Sequence, residues 1–109
     1  MFVTHFPGEI TPFYMKKREG VTHNFDLLLP EVAELIGGSE REDDLGRLEA
    51  AMQGLDKEAL QWYLDLRRYG SVPHAGFGMG LERLLLHITG LANVREVMPV
   101  PRSPNNMLC

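Results

Sequence analysis

Short apolar runs separated by turn signals make up the first 38 residues. Three of these runs have the length of β-strands: residues 10–15, 24–29 and 32–38. Turn-forming residues at 16–20 and around Pro30 separate the runs, and two consecutive glycines end the third. The pattern therefore predicts a set of antiparallel strands over about residues 1–38.

A helical period replaces this pattern over about residues 39–92. Ser39 and Glu42 have the spacing of a capping box, which predicts that a first helix begins there. Asp56 is the predicted N-cap of a second helix, which ends near Tyr69. Trp62 and Tyr63 are expected to belong to the core of that helix, and Arg67 and Arg68 to form its solvated end.

A third helix is predicted between Gly80 and Gly90. Its apolar residues form one stripe at helical spacing: Leu81, Leu84, Leu85 and Ile88. The tail, residues 97–109, contains three prolines near its start and is not expected to be helical there. Strands followed by helices predict an α+β fold, in which an antiparallel β-sheet is flanked by helices.

Composition narrows the class of protein. The chain has 109 residues, with 11 basic and 15 acidic side chains and a net charge of −4. This predicts one domain and excludes nucleic-acid binding through bulk positive charge. No apolar stretch approaches the roughly 20 residues of a membrane span. The only cysteine, Cys109, excludes an intrachain disulfide, and a structural zinc site is not expected. We therefore expect a cytoplasmic protein with no membrane partner.

Two carboxylates interrupt the apolar strands. If a hairpin is centred on Pro30, Asp26 lies directly opposite Glu34. Opposed like charges destabilise a strand pair unless a positive charge lies between them, and Mg²⁺ held by one or two carboxylates would supply it. The alternative is a solvated sheet face on which both charges contact water.

A glycine-rich segment, residues 76–83, joins a predicted strand to the third helix. Glycine at every second position leaves one strand face bare, so that a flat ligand can approach the backbone. Arg83 then falls in the first helical turn, where a bound anion or a stacked purine would suit it. The alternative is a close-packed turn with a surface arginine.

Two other residues are candidates for contact with a small substrate. Arg41 follows a glycine pair and could grip a carboxyl or carbonyl group, although an ordinary helix cap explains the same segment. His74 lies in the loop before the glycine-rich strand, and such a lone histidine is more often a hydrogen-bonding residue than a base. The residues alone leave these alternatives open.

In combination, these segments resemble the C-terminal part of the catalytic domain of class II aminoacyl-tRNA synthetases. Residues 78–83 match the third signature motif of that class, Gly-Φ-Gly-Φ-Glu/Asp-Arg. Residues 13–15 and 34–41, with Asp26, match the subgroup specific for aspartate, asparagine and lysine. Residues 62–74 are most similar to asparaginyl-tRNA synthetases of bacterial type.

The resemblance implies a set of residue roles. Arg83 would contact ATP at the adenine and the γ-phosphate, and Glu34 would coordinate the Mg²⁺ that bridges the ATP phosphates, with Asp26 assisting. Arg41 would hold the side-chain carbonyl of the amino acid, and His74 would lie near the amino-acid pocket. The remaining implied ATP-binding residues shape the wall beside Arg83: Gly80, Leu81 and Glu82.

The resemblance also implies the reaction and the partners. Asparagine would be activated by attack of its carboxylate on the α-phosphate of ATP, and the acyl group would pass to the 3′ end of tRNA. No protein nucleophile is required, because positioning and charge neutralisation lower the barrier. The full-length enzymes of this family are homodimers, so a homodimer is expected of the complete enzyme.

Three features of the family have no counterpart in the sequence: the anticodon-binding barrel and the first and second signature motifs. We therefore expect the chain to carry half of an ATP site and not to complete aminoacylation alone. The alternatives are a non-catalytic module that binds ATP, an amino acid or a partner, and a fragment without function that self-associates through its exposed sheet edge. Aspartate is the alternative substrate, because Arg41 suits its carboxylate equally well.

Overall fold

The computed structural model describes residues 1–102 and 104. Its strands are β1 (Phe2–Thr4), β2 (Lys17–Arg18), β3 (Val21–Thr22), β4 (Asn24–Leu29), β5 (Ala33–Glu40) and β6 (Ala75–Met79). Its α-helices are α1 (Leu45–Ala51), α2 (Gln61–Arg68) and α3 (Leu81–Thr89), and short 3₁₀ turns lie at Gly8–Ile10 and Val94–Glu96. The predicted combination of an antiparallel sheet with helices is confirmed.

The central sheet has four strands in the order β1-β4-β5-β6, and every neighbouring pair is antiparallel. Directly opposed residues share a face, so the register defines rows across the sheet. One row consists of Val3, Asp26, Gly37 and Gly78. The row beside it on the same face consists of Asn24, Ser39 and Gly76. This face therefore carries glycines on both β5 and β6, flanked by polar side chains of β4 and β5.

The centre of the opposite face is apolar, whereas Thr4 and Glu40 add polar side chains toward one end of it. Its rows contain Phe25, Gly38 and Phe77, and then Leu27, Ile36 and Met79. A Cβ atom at Gly38 would lie 2.6 Å from Cε1 of Phe25 and 3.0 Å from Cβ of Phe77. A Cβ atom at Gly38 would therefore force the Phe25 ring to move, whereas one at Gly78 on the other face would meet nothing within 4 Å.

The predicted register of the β4–β5 hairpin is wrong. Asp26 pairs with Gly37, and Glu34 pairs with Leu28. The turn is centred on Glu31 rather than Pro30, since Leu29 pairs with Ala33. A bulge then leaves Leu35 as an extra residue between the pairs Leu28–Glu34 and Leu27–Ile36. Neither the turn type nor the bulge is visible in the hydrophobic pattern.

Two further predictions about strands and helix starts are wrong. Residues 10–15 form no strand, because turns closed by the Pro7 and Pro12 carbonyls replace it, and of these residues only Met15 forms a β-bridge, to Arg41 just after β5. Ser39 does not cap a helix, because it pairs with Gly76 as part of β5. The first helix begins at Leu45, where Asp44 accepts a hydrogen bond of 2.8 Å from the Arg47 amide.

The second helix is shorter than predicted. Asp56 accepts hydrogen bonds from the amides of Glu58 and Ala59, but in a turn that precedes the helix. The third helix matches its prediction, with Gly80 as N-cap and Gly90 as a left-handed C-cap at φ +71°. The described residues of the predicted tail, 97–102 and 104, contain no helix, and Cys109 lies outside the described residues.

The helical core lies between α1 and α2. Leu48, Met52 and Leu64 are fully or almost fully buried and form one cluster. Partly buried residues pack against it: Phe13, Leu45, Leu60 and Tyr63. Trp62 is 62% exposed, so its predicted place in the core is wrong. Each fully buried side chain of this kind stabilises the fold by about 1.5–3 kcal/mol. Among the described residues, no helix is long and apolar enough to cross a membrane.

Candidate functional site

A cavity of about 690 Å³ opens above the glycine-bearing face of the sheet. Four of its lining residues carry charge: Asp26, Glu34, Arg41 and Arg83. Gly37, Gly78 and Gly80 belong to the lining, and no side chain rises from them. The cavity thus offers two carboxylates and two guanidinium groups around a bare floor, which suits a flat ligand with both phosphate and polar groups.

The two carboxylates lie over Gly37. A Cβ atom there would lie 2.6 Å from Oε1 of Glu34 and 3.3 Å from Oδ1 of Asp26. The bulge at Leu35 makes this possible, because residues 34 and 37 would otherwise point to opposite faces. Burial raises the pKa of Asp26, and the nearby charge of Glu34 raises it further.

This pair fits a hard divalent cation that is completed by phosphate. The described residues contain no cluster of three or more His, Cys, Asp or Glu side chains that could hold a metal alone. Mg²⁺ is commonly bound by one or two carboxylates together with substrate phosphates. Burial, and to a smaller extent the charge of Glu34, raises the pKa of Asp26, so a cation bound between the carboxylates would favour its charged form.

Arg41 is held in a fixed orientation at the other side of the floor. Its Nη1 donates to Oγ of Ser39 at 2.8 Å, and its Nη2 donates to the Gly76 carbonyl at 3.3 Å. Its Cζ atom lies 4.9 Å from the centroid of the Tyr14 ring. Each Nη atom retains a second N–H, so the guanidinium can still donate to a ligand.

Arg83 links the start of α3 to the start of β5. Its Nη1 donates to the Glu34 carbonyl, and the Gly80 amide donates to the Leu35 carbonyl at 3.0 Å. The helix therefore begins beside the two carboxylates. Leu81 and Glu82, which the family resemblance implies in the same wall, follow Gly80 in α3 but do not line the cavity.

His74 does not line this cavity. Its Nδ1 lies 2.8 Å from the Val72 carbonyl and its Nε2 lies 3.4 Å from Nη2 of Arg67. Its main-chain carbonyl accepts a hydrogen bond of 2.9 Å from the Arg41 amide. The predicted solvated helix end is wrong for Arg67, which is only 8% exposed. Arg68 is exposed as predicted, and pairs with Asp65.

An ion cluster beside the site was not foreseen. Nζ of Lys16 lies 2.5 Å from Oδ1 of Asp43 and 3.2 Å from Oε1 of Glu40. The hydrogen bond to Asp43 raises the pKa of Lys16, and the same bond lowers the pKa of Asp43. Burial raises the pKa of Glu40, but the hydrogen bonds from Lys16 and His23 lower it by more, so the net shift is downward. Sequence offers no signal for this cluster, because its members meet only after β5 forms.

Comparisons with known proteins identify the family of this chain. Residues 1–104 match the family model of the class II tRNA synthetases for D, K and N. The chain belongs to this family.

Individual relatives within the family are asparagine enzymes. The asparagine–tRNA ligase of Treponema denticola is 52% identical over 108 residues, which are 95% of this chain and 23% of that protein. Two solved structures with asparaginyl-adenylate bound each have a TM-score of 0.90 and cover 97% of this chain and 26% of theirs. They are the asparaginyl-tRNA synthetases of Entamoeba histolytica, 38% identical, and Pyrococcus horikoshii, 44% identical. The fold is that of these enzymes, and the chain spans about a quarter of their length.

Proposed function

We propose that this chain is part of an asparagine–tRNA ligase and forms the walls of its adenylation site that bind Mg²⁺-ATP and asparagine. The observation that carries the proposal is the convergence of Asp26, Glu34, Arg41 and Arg83 on one glycine-floored cavity. Two relatives with the same fold bind asparaginyl-adenylate, a molecule with the matching polar groups. In this proposal residues 78–83 are the third signature motif of the class.

The nucleotide end of the site lies at the start of α3. Arg83 brings positive charge to the cavity beside the helix N-terminus, which itself favours an anion. Its planar guanidinium can also stack on a purine. Gly80 leaves the backbone open to the ligand, and Leu81 and Glu82 support the wall from the first turn of α3.

Asp26 and Glu34 are the proposed magnesium ligands. When bound, Mg²⁺ supplies positive charge that offsets the charge of the phosphate oxygens. The two carboxylates and Arg83 line the same cavity, so the carboxylates would orient the metal-bound phosphates relative to Arg83. In the absence of a cation, burial and then the nearby charge of Glu34 disfavour the charged form of Asp26, and both raise its pKa.

Arg41 is the proposed contact for the asparagine side chain. Ser39 and Gly76 fix its guanidinium, and the remaining N–H groups can donate to the side-chain carbonyl. A carboxylate would accept the same hydrogen bonds, so Arg41 alone does not separate asparagine from aspartate. Asparagine is the proposed substrate because the relatives described above are asparagine enzymes.

These residues orient the reactants and neutralise charge, and none acts as a nucleophile. The carboxylate of asparagine attacks the α-phosphate, the bond to the β-phosphate oxygen breaks, and pyrophosphate leaves. The aminoacyl group then passes from the adenylate to a hydroxyl at the 3′ end of tRNA, and AMP leaves. Such a reaction gains its rate from positioning and electrostatic stabilisation. In the complete enzyme we propose a cytoplasmic homodimer with ATP, asparagine and tRNA as partners.

Calorimetric titration of the purified chain with Mg²⁺-ATP tests the nucleotide half of this proposal. We expect saturable binding that Glu34→Ala and Arg83→Ala each weaken by about tenfold or more, since each removes a charged contact. Arg68→Ala is the matched control, because Arg68 lies on the exposed end of α2. A folded chain without Mg²⁺-ATP binding, or with binding that both variants leave unchanged, would contradict the proposal. Tighter binding of aspartate than of asparagine would contradict the substrate assignment.

A further inference from the structure

Arg67 is a buried cation whose side chain, in the described part of the structure, forms no salt bridge. Its Nε donates to the Glu42 carbonyl at 3.0 Å, and its Nη2 donates to the Tyr63 hydroxyl at 3.0 Å. The Tyr63 ring lies 4.4 Å from its Cζ atom. Burying a charge costs free energy unless its hydrogen bonds are satisfied. The neutral acceptors around Arg67 satisfy them, and they hold the guanidinium between α2 and the segment that follows β5.

His74 supplies a further acceptor to Arg67, and its own contacts fix how it does so. Nδ1 of His74 lies 2.8 Å from the Val72 carbonyl, which can only accept a hydrogen bond. Nδ1 therefore carries the proton, and Nε2 of the neutral ring is left to accept from Nη2 of Arg67 at 3.4 Å. The imidazole is thus engaged by α2 and by its own loop, away from the cavity.

Two of the three residues that accept hydrogen bonds from Arg67, Glu42 and His74, flank Arg41 in the structure. Glu42 follows Arg41 in the chain, and the His74 carbonyl accepts the Arg41 amide hydrogen at 2.9 Å. Three hydrogen bonds, together with the peptide bond between Arg41 and Glu42, therefore form a closed path through Arg67, Glu42, Arg41 and His74. Removal of either side chain at 67 or 74 opens this path next to the backbone from which Arg41 reaches the cavity.

We propose that Arg67 and His74 are positioning residues for Arg41. They hold its backbone so that the guanidinium meets Ser39 and Gly76, and they raise the affinity for the amino acid without touching it. The effect on amino-acid affinity rests on the proposed function. The effect on the order of the Arg41 side chain does not, because it concerns the ligand-free chain.

One variant at position 67 and two at position 74 test the proposal. Arg67→Lys keeps the charge and loses the planar fork, with Arg68→Lys as its matched control on the same helix end. His74→Phe removes the acceptor and keeps a ring of similar size, while His74→Gln restores a carbonyl oxygen that can accept. His74 is exposed, so its variants test the proposal even where loss of Arg67 lowers stability.

The first measurement is NMR of the Arg41 guanidinium in the ligand-free chain. Slow rotation about its Cζ–N bonds is expected in the wild type, in Arg68→Lys and in His74→Gln, and faster rotation in Arg67→Lys and His74→Phe. The second is calorimetric titration. Arg67→Lys and His74→Phe are expected to weaken asparagine binding about tenfold and to leave Mg²⁺-ATP binding unchanged.

The outcomes separate this inference from the proposed function. Unchanged Arg41 rotation in folded Arg67→Lys and His74→Phe would overturn the positioning role, as would an equal loss of asparagine and Mg²⁺-ATP binding. A wild-type chain with an ordered Arg41 that binds no asparagine would contradict the proposed function, while the NMR comparison would still decide the inference.

Discussion

Asp26 and Glu34 present their carboxylates on one face of the sheet although the two residues are not paired. Asp26 lies opposite Gly37 and Glu34 lies opposite Leu28, and both carboxylates reach the space above Gly37. The extra residue in β5, Leu35, turns Glu34 back to the face that Asp26 occupies. In a regular hairpin, two carboxylates come this close when their residues are directly paired. Here the bulge brings the two carboxylates together instead.

This proximity predicts the titration of Asp26. Glu34→Gln removes a nearby negative charge, so the pKa of Asp26 falls toward its ordinary value but stays above it, because burial is the larger cause of the increase. An NMR titration of the Asp26 carboxyl carbon measures the change. Glu31→Gln, at the exposed hairpin tip, is the control and leaves the pKa unchanged. An unchanged value in Glu34→Gln would show that the two carboxylates do not interact.

The two faces of the sheet predict opposite responses to added methyl groups. Gly38→Ala places a Cβ atom 2.6 Å from the Phe25 ring and against Phe77, so we expect a loss of about 1–3 kcal/mol from overpacking. Gly78→Ala meets nothing within 4 Å and is expected to leave the free energy of unfolding nearly unchanged. Urea denaturation of both variants measures the difference. Equal effects would contradict the assignment of the packed and bare faces.

The bare face also predicts an effect on ligand binding that is separate from stability. Gly78→Ala raises a methyl group from the floor of the cavity, where a flat ligand would approach the backbone. We expect weaker Mg²⁺-ATP binding in a chain with wild-type stability, measured by calorimetry. Gly46→Ala, in α1 away from the cavity, serves as control. Full affinity in Gly78→Ala would show that the ligand does not lie on this part of the sheet.

The ion cluster around Lys16 predicts the response to acid. The pKa values of Asp43 and Glu40 are lowered in the folded state, so their stabilising contribution is present above their unfolded values and is lost as the pH falls through the folded ones. The ordinary values are 3.8 for Asp43 and 4.5 for Glu40, so the loss begins below about pH 5. Asp26 acts in the opposite direction, because its pKa is raised.

Asp43→Asn isolates this contribution. The variant is less stable than the wild type at pH 7, and the difference shrinks between about pH 5 and pH 3, because Asp43 binds a proton more readily in the unfolded chain than beside Lys16 in the folded one. Urea midpoints across this range provide the measurement. A constant difference would show that the Asp43 charge contributes nothing to the fold.

The sequence correctly predicts the elements whose ends depend on residues that are close together in the chain. Gly80 and Gly90 bracket α3 in the sequence and in the structure, because capping uses residues at the helix ends. The predicted helix start at Ser39 is wrong, because no residue close to Ser39 in the sequence indicates its pairing with the distant Gly76. The same reason applies to Arg67, whose acceptors at Glu42 and His74 come together only in the folded chain.

The candidate site shows the same division. Asp26, Glu34, Arg41 and Arg83 could be named from residue type and from the resemblance to a family, and the structure brings all four to one cavity. The contacts that orient them depend on pairing between distant strands, as in the hydrogen bond from Arg41 to Gly76. Tyr14 lies in a segment without regular structure, so no periodicity indicates its place beside Arg41.

The most direct test of the central claim is the affinity of the chain for a non-hydrolysable asparaginyl-adenylate analogue, asparaginyl-sulfamoyl-adenosine. This molecule joins the two ligand halves that we assign to Arg41 and Arg83. The account predicts saturable binding that Arg41→Gln and Arg83→Gln each weaken by about tenfold or more, with Arg68→Gln as an unaffected control. Absence of binding to the folded chain, or equal affinity in all four proteins, would contradict it.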